Sequence, residues 1–220
     1  MSGQFSTFRL SDLRFSDREL KDLAISWLAL GVAFAIFFAG GAGAVQRLLS
    51  ANGIVLLLVS LLTAGVGFLL HEVAHKVVAV RFGQVAEFRA DHSMLFLAIM
   101  SALLGFIFAA PGAVHHRGRV TKREHGLIAL AGPVTNVVLG VVFLPIFAVG
   151  SLASSPLLLL IGARGIAVNL FLAAFNMIPY GPLDGKTIIA WSKPVWAATF
   201  VVSVLATVGF FISGAGSLAL

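Results

Sequence analysis

The chain alternates long apolar runs with short polar connections. Apolar runs cover residues 23–39, 53–80, 94–110, 127–149, 157–178 and 195–212. Most reach or approach the ~20 residues that a helix needs to cross ~30 Å of hydrocarbon. Residues 1–22 are polar and carry both signs of charge, and Ser16-Asp-Arg-Glu19 fits a capping box ahead of the first run. No short basic stretch leads into an apolar core with a small-residue cleavage site, so the first run is expected to act as an uncleaved anchor. The pattern predicts an all-α polytopic membrane protein with five to six transmembrane helices.

Charge decides between five and six. Lys76, Arg81 and Arg89 lie at or after the end of the second run; Arg117, Arg119, Lys122 and Arg123 follow the third; Lys186 and Lys193 follow the fifth. Residues 150–156 carry no charge, and the connection after the first run carries only Arg47. If all six runs crossed, the basic clusters flanking 94–110 would face opposite sides, against the preference of Lys and Arg for cytoplasmic loops. If 94–110 enters and returns, every basic cluster becomes cytoplasmic, the N-terminus lies inside and the C-terminus outside. Pro111 and Gly112 in "FIFAAPGAV", residues 106–114, break a helix at that point. The expectation is five crossings in the cell membrane, plus a re-entrant element at about 94–114 made of a short helix and an extended return. It would lie between the second span and the following core span, with protein or a wet cavity covering its non-helical backbone.

Composition agrees with this reading and narrows the chemistry. Of 220 residues, 59% are hydrophobic and 11% charged, where soluble domains average about a quarter charged. With no cysteine, thiolate metal sites and cysteine nucleophiles are excluded. The net charge of +6 follows from the basic loops; no dense basic run with interleaved aromatics points to nucleic acid. The division expected along the chain is a cytoplasmic segment 1–22, a first helix with its external connection 23–52, a membrane core 53–190 and a last helix with its tail 191–220. The spans leave no length for a separate soluble domain.

One stretch conflicts with a lipid-facing helix. "FLLHEVAHKV", residues 68–77, places His71, Glu72 and His75 in the second run. Ionisable groups in hydrocarbon each cost about 2.5–3.5 kcal/mol on insertion scales and usually mark function. His71-Glu72-Val-Ala-His75 is an H-E-x-x-H pattern: positions i and i+4 share a helix face, so both imidazoles can reach one metal ion. Glu72, beside them, can take a proton from a water that the metal activates. Zinc suits imidazole and needs no redox chemistry. The 18 residues before His71, from Gly53, correspond to ~27 Å of helix, which puts the pattern toward the cytoplasmic end of the span.

Catalytic zinc usually takes three protein ligands. Candidates for the third are Glu87, Asp91, His92, His115, His116, Glu124, His125 and Asp184. Asp184 stands out, because Pro179, Gly181, Pro182 and Gly185 interrupt helix around it and free the loop to turn inward. Other polar positions read as structural. Asn136, with Gly132 and Gly140 at four-residue spacing, suits close helix packing. Asn169 suits an interhelical hydrogen bond, Arg164 suits snorkelling, and Trp27, Trp191 and Trp196 suit interface anchoring.

"HEVAH" and "NMIPYGPLDG", in that order and in separate spans, resemble the site-2 protease family of intramembrane zinc metalloproteases; "AGPVTN", residues 131–136, is a third match. The resemblance covers roughly residues 53–190, and no segment resembles the PDZ or CBS domains that many members carry. It implies His71, His75 and Asp184 as ligands of one Zn2+ per chain, Glu72 as the catalytic carboxylate, and Asn176 as a group that contacts substrate or stabilises the oxyanion. It also implies a membrane-inserted hairpin and a transmembrane protein or peptide as substrate. An exposed strand edge near "FAAPGAV" would hold such a substrate unwound. The rival expectation is a membrane metal transporter or sensor, which would use the same ligands without needing Glu72.

Overall fold

The structure, a computed structural model, describes residues 13–108 and 110–218. The opening segment 1–12, Ala109 of the segment expected to re-enter and the tail residues 219–220 lie outside the described residues. Among the described residues, five helices are long and apolar enough to cross a membrane: Asp17–Phe38, Asn52–Arg81, Lys122–Leu152, Pro156–Asn176 and Lys193–Ile212.

Helix α1, Asp17–Phe38, begins where the Ser16 hydroxyl accepts from the Glu19 amide at 3.1 Å. Only half of the expected capping box forms, because the Glu19 carboxylate turns inward to other partners. After α1, Gly40 and Gly41 adopt φ of 98° and 72°, and the short helix α2, Val45–Leu48, leads into the second span. That span consists of α3, Ala51–Ser60, a π turn at Leu61–Gly65, and α4, Val66–Arg81. At the π turn the Leu61 carbonyl accepts the Trp27 indole N–H at 3.0 Å, and a Cβ at Gly65 would lie 2.5 Å from that indole. Trp27 is thus a helix–helix tie, as is Trp196, which donates to the Met177 carbonyl at 2.8 Å. Trp191 lies against Gly126. All three tryptophans, expected as interface anchors, are half-buried and make these contacts with neighbouring helices.

Beyond α4 the chain enters strand β1, Val85–Ala90, then helix α5, His92–Leu103, then strand β2, Gly112–Arg117. Asp91 caps α5 by accepting from the Ser93 and Met94 amides. Twelve helical residues rise only ~18 Å, too short for a crossing. The strands pair antiparallel, Val85 opposite Arg117 through Ala90 opposite Gly112. The segment therefore ends beside its starting point, and the basic residues before and after it lie at one end of the molecule. The stretch expected to re-enter, 94–114, thus holds most of α5 and the start of β2, and β1 pairs with β2 from outside those bounds.

Helix α6, Lys122–Leu152, starts in a full capping box between Thr121 and Glu124 and contains Pro133 and Pro145. It packs along α7, Pro156–Asn176, and crosses α4. Small residues permit this approach: a Cβ at Gly165 would lie 2.2 Å from the Phe143 ring, and one at Gly162 would lie 2.5 Å from the Phe147 backbone. Arg164, on the same helix, does not snorkel. It is buried, with its guanidinium 4.2 Å from the centroid of the Phe38 ring. The chain then breaks at 177–183, where Gly181 has φ of 60°, before α8, Asp184–Trp191, and α9, Lys193–Ile212.

Candidate active site

Helix α4 supplies His71, Glu72 and His75, all buried. The break after α7 supplies Asp184, the first residue of α8. Gly185 makes this docking possible, since a Cβ there would lie 2.1 Å from the Met177 carbonyl oxygen. The structure brings the two imidazoles and this carboxylate together: Asp184 Oδ2 is 3.2 Å from His71 Nε2 and 3.3 Å from His75 Nε2, and the two Nε2 atoms are 3.0 Å apart.

Hydrogen bonds on the far side of each ring fix which nitrogens carry protons. The Asn136 amide donates to the Gly67 carbonyl at 3.2 Å and to Asn169 Oδ1 at 2.9 Å. Its oxygen therefore faces His71 Nδ1 at 2.5 Å and accepts from it. His75 Nδ1 donates to the Ile128 carbonyl at 2.7 Å. Both Nε2 atoms then present lone pairs, and Asp184 Oδ2 has no hydrogen-bond donor among the described residues. Three acceptors at mutual distances of 3.0–3.3 Å with no proton among them repel unless a cation lies between them. Tetrahedral zinc with bonds of about 2.0–2.1 Å separates its ligands by about 3.3 Å, so the donor set and its spacing fit that ion. Imidazoles whose other nitrogen donates to an amide or carbonyl oxygen are the usual ligand arrangement.

Gly132 on α6 is part of the same cradle. A Cβ there would lie 2.4 Å from His71 Nε2 and 2.5 Å from His75 Nε2. Gly132 and Asn136 thus contact the imidazole face of α4, beyond the helix packing expected of them. Asn169, fully buried, donates to the Gly165 carbonyl at 2.8 Å and orients Asn136 in turn. The sequence signal was an asparagine inside an apolar span, one turn after the glycine of "AGPVTN". What it could not show is that its partner lies 65 residues away.

The cluster opens on a cavity of about 170 Å³. Glu72, whose Oε2 has no hydrogen-bond partner among the described residues, lies on its wall with Asn176 and β2 residues Gly112, Val114 and His116. Asn176 ends α7 and donates its amide to the Leu172 carbonyl at 3.0 Å. An outer hollow of about 370 Å³ shares His125, Pro182, Leu183 and Thr187 with this cavity and adds Lys122 and Lys186. It makes an approach to the cavity from the end that carries Lys122 and Lys186.

The other third-ligand candidates are placed elsewhere. Glu87 bonds to Ser16 and Arg89, Asp91 and Glu124 cap helices, and His92 and His115 are exposed. His116 and His125 stack edge to face, 5.2 Å between centroids, at the cavity wall.

Three named relatives are similar to the chain. "Putative zinc metalloprotease MJ0611" of Methanocaldococcus jannaschii is 40% identical over 193 residues, 86% of this chain and 92% of that protein. "Putative zinc metalloprotease YwhC" of Bacillus subtilis is 32% identical over 155 residues, 58% of this chain and 66% of that protein. "Putative zinc metalloprotease Rip3" of Mycobacterium tuberculosis is 32% identical over 171 residues, 76% of this chain but 38% of that protein. No family model matches the chain, and no solved structure matches it.

Proposed function

Because the chain belongs to the site-2 protease-like family of zinc metalloproteases, we propose that it hydrolyses peptide bonds of transmembrane segments within the membrane. His71, His75 and Asp184 hold zinc in this reading, Glu72 is the general base, and Asn176 assists the oxyanion. The observation that carries the proposal is the three-acceptor cluster beside the unpartnered Glu72 oxygen, inside a cavity walled by a strand.

Zinc, when bound, supplies Lewis-acid polarisation and lowers the pKa of water toward ~7. The protein's own groups do the rest. Glu72 takes one proton from the attacking water and returns it to the leaving nitrogen, so that the C–N bond breaks to a carboxylic acid and an amine. The Asn176 side chain turns from the Leu172 carbonyl to the developing oxyanion. Substrate must arrive unwound, because a helix occupies its own carbonyls.

Strand β2 can hold it. The Phe88 amide donates to the Glu19 carboxylate, away from β2, so the pair Phe88–Val114 is of the non-hydrogen-bonded kind. The backbone groups of Gly112, Val114 and His116 therefore point away from β1, and these residues, together with Ala113, line the cavity. An extended substrate adds to that edge.

The basic end, where Val85 meets Arg117 and the outer hollow opens between Lys122 and Lys186, is the cytoplasmic side by charge preference, with the N-terminus also inside. Reporter fusions after Arg89 and after Arg119 are both expected to report cytoplasm.

The test is reconstitution in vesicles with a single-span substrate. Glu72→Gln is expected to keep zinc and lose cleavage by roughly 10²–10⁴-fold. Unchanged cleavage sinks the reading. Zinc flux across vesicles that persists in Glu72→Gln supports a carrier instead.

A further inference from the structure

We infer that Glu19, on a helix outside the segment that resembles the protease core, is a positioning residue that sets the strand pair against the ligand helix. The inference rests on the protease reading for its kinetic consequence and on geometry alone for its structural one.

Glu19 is fully buried, and its carboxylate divides between two partners. One oxygen accepts from Lys76 Nζ, the residue directly after ligand His75. The other accepts from the Phe88 amide of β1 at 3.0 Å. Lys76 is itself closed in, donating also to the Arg14 carbonyl at 2.6 Å and lying 4.0 Å from the centroid of the Phe15 ring. On either side of Phe88, Ser16 donates to Glu87 and Arg89 lies 3.5 Å from Asp22. Residues 14–22 thus grip three consecutive residues of β1 and the ligand helix at once.

The consequence follows from strand register. By taking the outward amide of Phe88, Glu19 blocks the back edge of β1 and holds the parity of the pair. A slip of one residue would exchange which β2 amides face the cavity. Gly112 keeps the strands close on the cavity side, where a Cβ would meet the Arg89 carbonyl oxygen at 2.3 Å. The part of this arrangement that matters is the acceptor for Phe88; the ion pair with Lys76 serves to keep that acceptor buried and aimed. Neutral pairs of similar volume often replace buried ion pairs without loss of stability, which allows the two jobs to be separated.

Two double variants of the full chain make the test. Glu19→Gln with Lys76→Met removes both charges and keeps an acceptor oxygen. Glu19→Leu with Lys76→Met removes the acceptor as well. Both are measured for zinc content, for amide exchange in 85–90 and 112–117, and for kcat and KM on a single-span substrate. Both are expected to keep zinc. The Gln/Met variant is expected to hold wild-type exchange and KM within about threefold, since its acceptor survives. The Leu/Met variant is expected to exchange at least about tenfold faster in both strands, the effect of one buried N–H left without an acceptor. Its KM rises similarly while kcat moves less. Wild-type exchange in the Leu/Met variant overturns the inference. So does equal loss in both variants, or faster exchange spread through α4 and α6. If the wild-type protein cleaves nothing, the protease reading fails, while the exchange comparison still decides the positioning role.

Discussion

Helix α4 carries two buried polar faces, and they are satisfied in opposite ways. On one, His71 and His75 turn lone pairs toward Asp184, so that three acceptors meet with no donor among the described residues. On the other, Lys76 and the Phe88 amide supply protons to Glu19, so that every strong group has a complement. Each face joins α4 to a carboxylate far away in the chain. The first arrangement calls for a cation; the second is complete as it stands. Adjacent residues, His75 and Lys76, belong to different devices because ~100° of helix rotation separates them. Burial of an acid does not by itself mark a functional site; what distinguishes these two is the count of protons available to the carboxylate.

Several substitutions would break that contrast. The largest effect is expected from Gly132→Ala, whose Cβ would stand 2.4 Å from His71 Nε2. Zinc content should fall to background and cleavage with it, while exchange in 85–90 stays at its wild-type rate. Lys76→Met comes next. It leaves Glu19 buried without its cation, which costs about 3–5 kcal/mol; thermal unfolding should show the loss, with zinc retained in the folded fraction.

Asn136→Leu acts on the first face only. It removes the acceptor of His71 Nδ1–H, and loss of such an outer partner weakens metal affinity by about 10–100-fold. Chelator competition reads this directly.

The smallest effect concerns Glu87 at the rim of the second face. The Ser16 hydroxyl, and then Arg89, hold its carboxyl below the ordinary 4.5. A depressed folded value means that its contribution is present above the unfolded pKa and is lost as pH falls through the folded one. Glu87→Gln should therefore lower Tm slightly near pH 7, and the difference from wild type should vanish in acid below that range. A difference that grows on acidification would contradict the assignment.

These two faces were unequally legible in the sequence. His71, Glu72 and His75 could be found because helical spacing is local, and Asp184 because proline and glycine around it interrupt a span. The doubling back of the chain between β1 and β2 could be inferred from charge on its flanks; β1 itself left a signal that is easily passed over, because the alternation of Ala86-Glu87-Phe88-Arg89-Ala90 is only five residues long and directly follows a long span. The second face left no comparable trace. Glu19 looked like half of a capping box, and Lys76 like the basic end of a span; nothing local links positions 57 residues apart. Arg164 misled for a related reason: its partner ring, Phe38, lies on another helix. Long-range polar pairs are set by tertiary packing, whereas periodicity and turn chemistry report only on neighbours.

The central claim is that a peptide bond is cut at membrane depth by the groups on the first face of α4. Mass spectrometry of the products from a single-span substrate, in vesicles with zinc-loaded protein, tests it most directly. The account predicts one new terminus inside the apolar span, absent with Glu72→Gln at equal zinc content. A cut confined to the polar flanks of the span, or the same cut with Glu72→Gln, would contradict it.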